Sequence, residues 1–179
     1  MNNKYPQLLA AAAMLSLSAS AWSDNYFGLN LSKVDFDTDL LDEEPSMTAL
    51  YLRGGTAITD FLDAEVRLGI GIGNDEQETP GSAINTEAEV AGMAGAFLRG
   101  HLSVIDFATP YVLLGWSHVE VGIAGPGANS DEKEDGLSYG LGVDFNFSEL
   151  FGINVEYITW SDNDDAEITG LSTGVIFNF

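Results

Sequence analysis

Leu137-Ser-Tyr-Gly-Leu-Gly-Val-Asp-Phe-Asn-Phe147 decides how the rest of the chain is read. Its odd positions, Leu137, Tyr139, Leu141, Val143, Phe145 and Phe147, are all apolar or aromatic, whereas Ser138, Gly140, Gly142, Asp144 and Asn146 between them are small or polar. A helix would scatter both sets around its circumference. A strand, whose successive side chains point to opposite faces, separates them.

The same period of two recurs along the chain. Upstream, Phe27, Leu29 and Leu31 alternate with Gly28, Asn30 and Ser32. Leu50, Leu52 and Ile58 oppose Tyr51 and Arg53, and Val66, Leu68, Ile70 and Ile72 oppose Glu65, Arg67, Gly69 and Gly71. Val90, Ala94, Ala96 and Leu98 alternate with Glu89, Ala91, Met93 and Arg99, and the next segment sets Tyr111, Leu113, Val119 and Val121 against Leu114, Trp116, His118 and Glu120. Downstream, Ile153, Val155 and Tyr157 oppose Asn154 and Glu156, and the chain closes on Leu171, Thr173, Val175, Phe177 and Phe179. Short links near Thr59 to Leu62, Ser103 to Ala108 and Ser148 to Phe151 imply antiparallel neighbours. They alternate with longer polar stretches that hold 18 of the 28 acids, in Asp35 to Glu44, Asp75 to Glu87, Asp131 to Asp135 and Asp162 to Glu167. Ala124 to Asp135 and Asp162 to Glu167 therefore read as loops, and all long loops fall at one end of an up-and-down meander.

The chain begins with Lys4, an apolar run from Leu8 to Leu17 and the small residues Ala19, Ser20 and Ala21. That order is an export signal, with residues 1–21 removed and 22–179 forming one domain. No later stretch approaches the 18 or so apolar residues of a spanning helix. Cysteine is absent, so disulfides and thiolate chemistry are excluded. The formal charge of −22 repels nucleic-acid phosphates, so no nucleic-acid partner is expected.

The charged strand residues decide which face is inside. Arg53, Glu65, Arg67, Glu89, Arg99, His118, Glu120, Asp144 and Glu156 all fall on the parity opposite the apolar stripe; Lys33 breaks the rule at a strand end. A soluble barrel would put charges outside and grease inside. Here the apolar stripe matches hydrocarbon and the charges must share a narrow lumen, where unpaired ions are costly. The expected fold is an all-β, eight-stranded antiparallel up-and-down transmembrane barrel with a small-residue and charged interior, plugged by an ion network rather than open. Phe61, Phe107, Phe147, Phe151 and Phe179 near the short turns suit an interfacial girdle.

These residues resemble the small outer-membrane β-barrels of the OmpA/OmpX type over nearly all of Asn25 to Phe179. The resemblance rests on the terminal strand Leu171-Ser-Thr-Gly-Val-Ile-Phe-Asn-Phe179, on Tyr139 to Phe147 leading into Ile153-Asn-Val-Glu-Tyr157, and on the export signal. It implies location in the bacterial outer membrane, and a last strand whose Val175, Phe177 and Phe179 are read by the outer-membrane assembly machinery. An appended peptidoglycan-binding domain, and hence wall anchoring, is not expected.

Chemistry is weakly signalled. Ser117, His118 and Glu120 invite comparison with lipid A-modifying barrel enzymes, but adjacent strand residues face opposite ways, with Ser117 expected toward lipid and His118 and Glu120 toward the lumen. His101 is assigned no role. Asp35-x-Asp37-x-Asp39 suggests a divalent cation, yet Leu40 replaces the turn glycine and Ser46 the closing glutamate of a calcium loop, so no defined metal site is expected. The three arginines would suit a small passive anion channel only in a wider barrel. The reading is therefore a monomeric, non-enzymatic surface barrel without cofactor. Its role is structural or interactive at the cell surface, its partners are membrane lipid and lipopolysaccharide, its acidic loops are either the contact region or simply a solvated surface suited to a salty habitat, and divalent cations are candidates to screen them.

Overall fold

The computed structural model describes residues 24–37, 46–73, 75–77, 86–102, 107–125, 128–163 and 166–179. The expected export segment Met1 to Ala21 lies outside the described residues, as do 38–45 and 78–85 of two acidic loops, including Asp39.

Nine strands follow one another: β1 (Asn25–Asp37), β2 (Ser46–Thr59), β3 (Leu62–Gly73), β4 (Asp75–Gln77), β5 (Thr86–His101), β6 (Ala108–Gly125), β7 (Ala128–Asn146), β8 (Phe151–Asn163) and β9 (Ala166–Asn178). The short β4 pairs with β5 at Asp75↔Ala88, and β3 pairs with the same strand from Leu62↔Gly100 to Gly69↔Met93. Together β3 and β4 form one stave, so the barrel has eight. Every pairing is antiparallel, and the sheet closes where β1 meets β9, from Tyr26↔Asn178 to Asp37↔Glu167. Closure matters because hydrocarbon offers no partner to an unpaired backbone amide.

Burial follows the alternation. Leu137, Tyr139 and Leu141 point outward at 49%, 40% and 62% exposure, while Ser138 and Asp144 are buried. On β7 the outward apolar run spans ten steps from Leu137 to Phe147. At about 3.3 Å per residue and a tilt of about 40°, that is a band roughly 25 Å tall, the hydrocarbon height of an outer-membrane barrel. Phe61, Phe107, Phe147 and Phe179 are exposed at its short-turn edge, and Trp116, Tyr139 and Tyr157 face out nearer the loop edge.

Three expectations are corrected. On β6 the faces are reversed: Tyr111, Leu113, Ser117 and Val119 are buried, and Val112, Leu114 and Trp116 are exposed. Both parities of β6 are apolar, so alternation alone does not choose. Pairing does, because Leu114↔Tyr139 and Trp116↔Leu137 put these residues beside outward neighbours. His118 and Glu120 therefore lie on the outer face, with Trp116 and against the lumen assignment.

Secondly, Ala124 to Asp135 is not a loop: β6 and β7 remain paired to Gly125↔Ala128, and β8 and β9 likewise to Asn163↔Ala166. Outside lipid, backbone pairing needs no apolar face, so a polar strand has the composition of a loop. Thirdly, the lumen is not uniformly small and charged. Val34, Met47, Ala49, Met93, Val119, Ile158, Trp160 and Ile168 form a buried apolar cluster at its loop end. An eight-stranded interior is just filled by side chains, and a dry filling serves as well as an ionic one.

Candidate functional site: the charged lumen

Beneath the apolar cluster lies a continuous chain of ions. Arg99 Nη1 donates to Asp63 Oδ2 at 2.7 Å and Nη2 to Asp144 Oδ2; Arg53 Nη2 takes the other Asp144 oxygen at 2.9 Å. Arg53 Nη1 lies 3.7 Å from Glu156 Oε2, and Arg67 grips Glu156 with both terminal nitrogens, at 2.5 and 2.8 Å. Arg67 Nε reaches back to Glu65 at 2.6 Å. Tyr26 donates to Glu65, and Tyr51 and Tyr111 donate to Glu156 at 3.1 and 2.9 Å.

The arginine planes also lie against aromatic rings: Arg99 is 4.2 Å from the Tyr111 centroid and Arg67 is 4.8 Å from that of Phe97. Arg67 takes Glu156 bidentately while Arg53 and Arg99 each bridge two acids, and a planar fork with several donors that also packs on rings does this better than a single ammonium.

Room for these side chains comes from the facing glycines. A Cβ at Gly142 would stand 2.5 Å from the Tyr111 ring, and one at Gly28 would stand 3.0 Å from Arg53 Cγ. The glycines of the inner face are thus complements of particular large residues.

Of the residues singled out in the sequence, the structure brings Arg53, Glu65, Arg67, Arg99, Asp144 and Glu156 together, all at or below 4% exposure. Glu89 lies beyond the register shift between Val90 and Gly92, with its side chain outside the described residues. His118 and Glu120 stand outside, where His118 Nδ1 is 2.7 Å from Asp135 Oδ1 and Nε2 is 3.5 Å from Glu120 Oε1. Ser117 points inward to Ser138 Oγ at 2.7 Å. Serine and histidine are on opposite sides of the wall, though each on the side expected of the other.

Asp63, which sequence reasoning passed over, shares the parity of Glu65 and Arg67, and that signal would have found it. His101 sits within 3.3 Å of Asp63 Oδ1. Trp160 was missed for a better reason. It shares the inward parity of Asn154 and Glu156, but an inner face expected to be small and charged gives an indole no place; the bulge between Thr159 and Ser161 shifts parity only for the residues beyond it.

At the short-turn end a cavity of about 600 Å³ is lined by Tyr26, Arg99, His101, Thr109, Asp144 and Asn146 among others. Among the described residues, no group of three His, Cys, Asp or Glu is placed to hold a metal ion. On the terminal strand Phe177 and Phe179 face outward and Val175 shares their parity. Phe177 lies 5.4 Å from the Phe151 ring, and Phe179 exchanges both backbone hydrogen bonds with Asn25.

The fold is shared with solved barrels of low sequence identity. The attachment invasion locus protein Ail of Yersinia pestis superposes with a TM-score of 0.67 at 16% identity, over 88% of this chain and 99% of Ail. Neisserial surface protein A gives 0.66 at 14%, over 88% and 99%. The N-terminal barrel domain of Pseudomonas aeruginosa OprF gives 0.58 at 14%, over 85% and 97%. No curated protein sequence matches. The profile described as outer membrane protein beta-barrel domain matches residues 7–179, so the chain belongs to that family and is a barrel of the bacterial outer membrane.

Proposed function

We propose that this is a non-conducting, non-enzymatic surface barrel, in which the lumen is closed by its ion network and apolar filling and the loop end makes contacts outside the cell. One observation carries the reading. Beyond the outer-face pair His118↔Asp135, at the edge of the apolar band, β6 and β7 stay paired for seven further rows to Gly125↔Ala128. At about 3.3 Å per row this is roughly 23 Å along the strands, or about 18 Å of height past the band at the same tilt of about 40°. Such an extension adds nothing to membrane anchorage, and its sequence carries Glu120, Asp131, Glu132 and Glu134, with Asp135 at its base.

The partner class follows from charge. Ail has been crystallised with the heparin analogue sucrose octasulfate; a chain of net −22 repels such a polyanion. The contact region suits a basic surface, or lipopolysaccharide phosphates bridged by divalent cations. On the same reading the lipid-facing Val175, Phe177 and Phe179 serve the assembly machinery.

Two measurements test it. Replacing residues 122–131 with an Asn-Gly hairpin turn, together with Glu132→Gln, Glu134→Gln and Asp135→Asn, should leave a heat-modifiable barrel but abolish cell adhesion to basic surfaces. The unaltered protein should show no conductance in planar bilayers. Unchanged adhesion refutes the contact role, and steady conductance returns the passive channel as the better reading. The lipid A enzyme is excluded if His118→Ala leaves lipid A unchanged.

A further inference from the structure

We propose that the lumen is a dead-end half-channel, open to water from the periplasmic side as far as Arg99 and Asp144 and sealed toward the cell surface by the apolar layer around Trp160. The inference rests on the closed-lumen reading and adds where the barrier lies and which side reaches the charges.

The two layers are stacked along the barrel. On each strand that contributes to both, the apolar residue lies nearer the long-loop end than the ionic or tyrosyl one: Val34 after Tyr26 on β1, Met47 before Arg53 on β2, Met93 before Arg99 on β5 and Trp160 after Glu156 on β8. The cavity of about 600 Å³, by contrast, is built from strand ends at the short turns, with Thr109 second in β6, Asn146 closing β7 and Asn178 closing β9. Short turns face the periplasm in barrels of this class. Arg99 and Asp144 line the cavity and belong to the ion chain, so water entering from the periplasm meets the network directly.

Trp160 forms the opposite boundary. Its ring is fully buried, edge-on to Tyr51 at 5.4 Å and to Phe97 at 6.1 Å, with the Arg67 guanidinium 5.7 Å from its centroid. Trp160 shares the inward parity of Glu156 and Ile158, and its backbone is held from the neighbouring strands β7 and β6: Ser138 and Ser117 both donate to the Trp160 carbonyl, at 2.6 and 2.5 Å. Val34, Met47, Val119 and Ile168 complete the layer with no exposed surface above 3%. A layer of fully buried, mostly apolar side chains bars ions whatever the charges below it do. Removing the indole would leave room for several waters of about 30 Å³ each.

The absence of cysteine makes the test direct. Thr109→Cys places one thiol on the cavity wall. The barrel is inserted into vesicles in one orientation, verified by protease access to the loops, and a small charged methanethiosulfonate is added to either side. Modification is expected from the turn side, with at least a tenfold slower rate from the loop side. Adding Trp160→Ala should raise the loop-side rate at least tenfold and give measurable conductance. Should that variant lose heat-modifiable migration, Ile168→Ser breaches the same layer with less loss of volume. Equal rates from both sides without a breach, protection from both sides, or a folded breach that changes neither rate nor conductance would overturn the half-channel. Conductance before any substitution would instead overturn the closed-lumen reading.

Discussion

Glu156 is the most heavily used acceptor in the lumen, and replacing it separates two explanations of why the network is there. Its carboxylate takes both terminal nitrogens of Arg67 and the hydroxyls of Tyr51 and Tyr111, with Arg53 3.7 Å away. Among the described residues the network holds Asp63, Glu65, Asp144 and Glu156 against Arg53, Arg67 and Arg99, an excess of one negative charge. If overall balance governed stability, Glu156→Gln would stabilise the barrel. If local pairing governs, it destabilises, since the new amide group turns a donor toward donors.

The structure favours the second outcome. The hydrogen bonds to the Glu156 carboxylate are 2.5 to 3.1 Å long, whereas the excess charge is shared among acids with arginines lying between them. Breaking one side of a buried pair costs about 3–5 kcal/mol. The lower end applies, because Arg67 keeps Glu65 and Arg53 keeps Asp144. With a urea dependence of about 1–3 kcal/mol per molar, the midpoint should fall by about 1–3 M. Reversible urea unfolding in lipid vesicles, followed by fluorescence and gel mobility, measures it. A midpoint that is unchanged or raised in Glu156→Gln refutes the local-pairing argument.

Further expectations are simpler. Gly142→Ala drives a methyl into the Tyr111 ring and should cost about 1–3 kcal/mol, an overpacking cost. Gly54→Ala, whose Cβ would meet nothing nearer than 4.0 Å, should stay within about 0.5 kcal/mol, and equal losses at both sites would deny the glycines their spacing role. Leu141→Arg, in the middle of the outward apolar run, should cost about 2–4 kcal/mol in bilayers; tolerance of it would contradict a lipid-facing stripe. His118→Ala should change unfolding stability by less than about 0.5 kcal/mol, since the residue stands outside the lumen network; a loss like that of Glu156→Gln would return it to the interior.

What could be read from sequence alone follows from how unlike the two faces of each strand are. β7 was legible because its outer set is wholly apolar and its inner set is serine, glycine, aspartate and asparagine. The inward parity of Arg53, Glu65, Arg67, Arg99, Asp144 and Glu156 follows from the same contrast, since each stands on a strand with one unmistakable greasy face. β6 lacked that contrast. It crosses both layers, presenting Leu113 and Val119 to the apolar filling and Val112 and Leu114 to lipid, so only pairing with β7 orients it. The bulges at Ala91 and Trp160 shift parity without any composition signal. The start of β7, Asn129 to Asp135, and the end of β8, Ser161 to Asn163, have no apolar residue at all, and period-two reasoning has nothing there to detect.

The same partition explains the lopsided composition. Of six basic residues, Arg53, Arg67 and Arg99 are committed to the lumen, and Lys4 falls in the expected export segment. Lys33, itself 3.4 Å from Asp35, and Lys133 are then the remaining lysines, whereas only four acids are enclosed among the described residues. The interior is thus close to neutral and nearly all of the −22 is carried outside it. At physiological ionic strength such charges interact over about 8 Å. Projecting hairpins can therefore repel one another and lipid phosphates while leaving the ion network undisturbed. Loop sequence and lumen stability are consequently separable: a change of charge on the hairpins should alter adhesion and its dependence on divalent cations with little effect on the unfolding midpoint, and a change at Glu156 should do the reverse. A hairpin variant that moved the midpoint as far as Glu156→Gln would show that the outer acidity is coupled to the barrel after all.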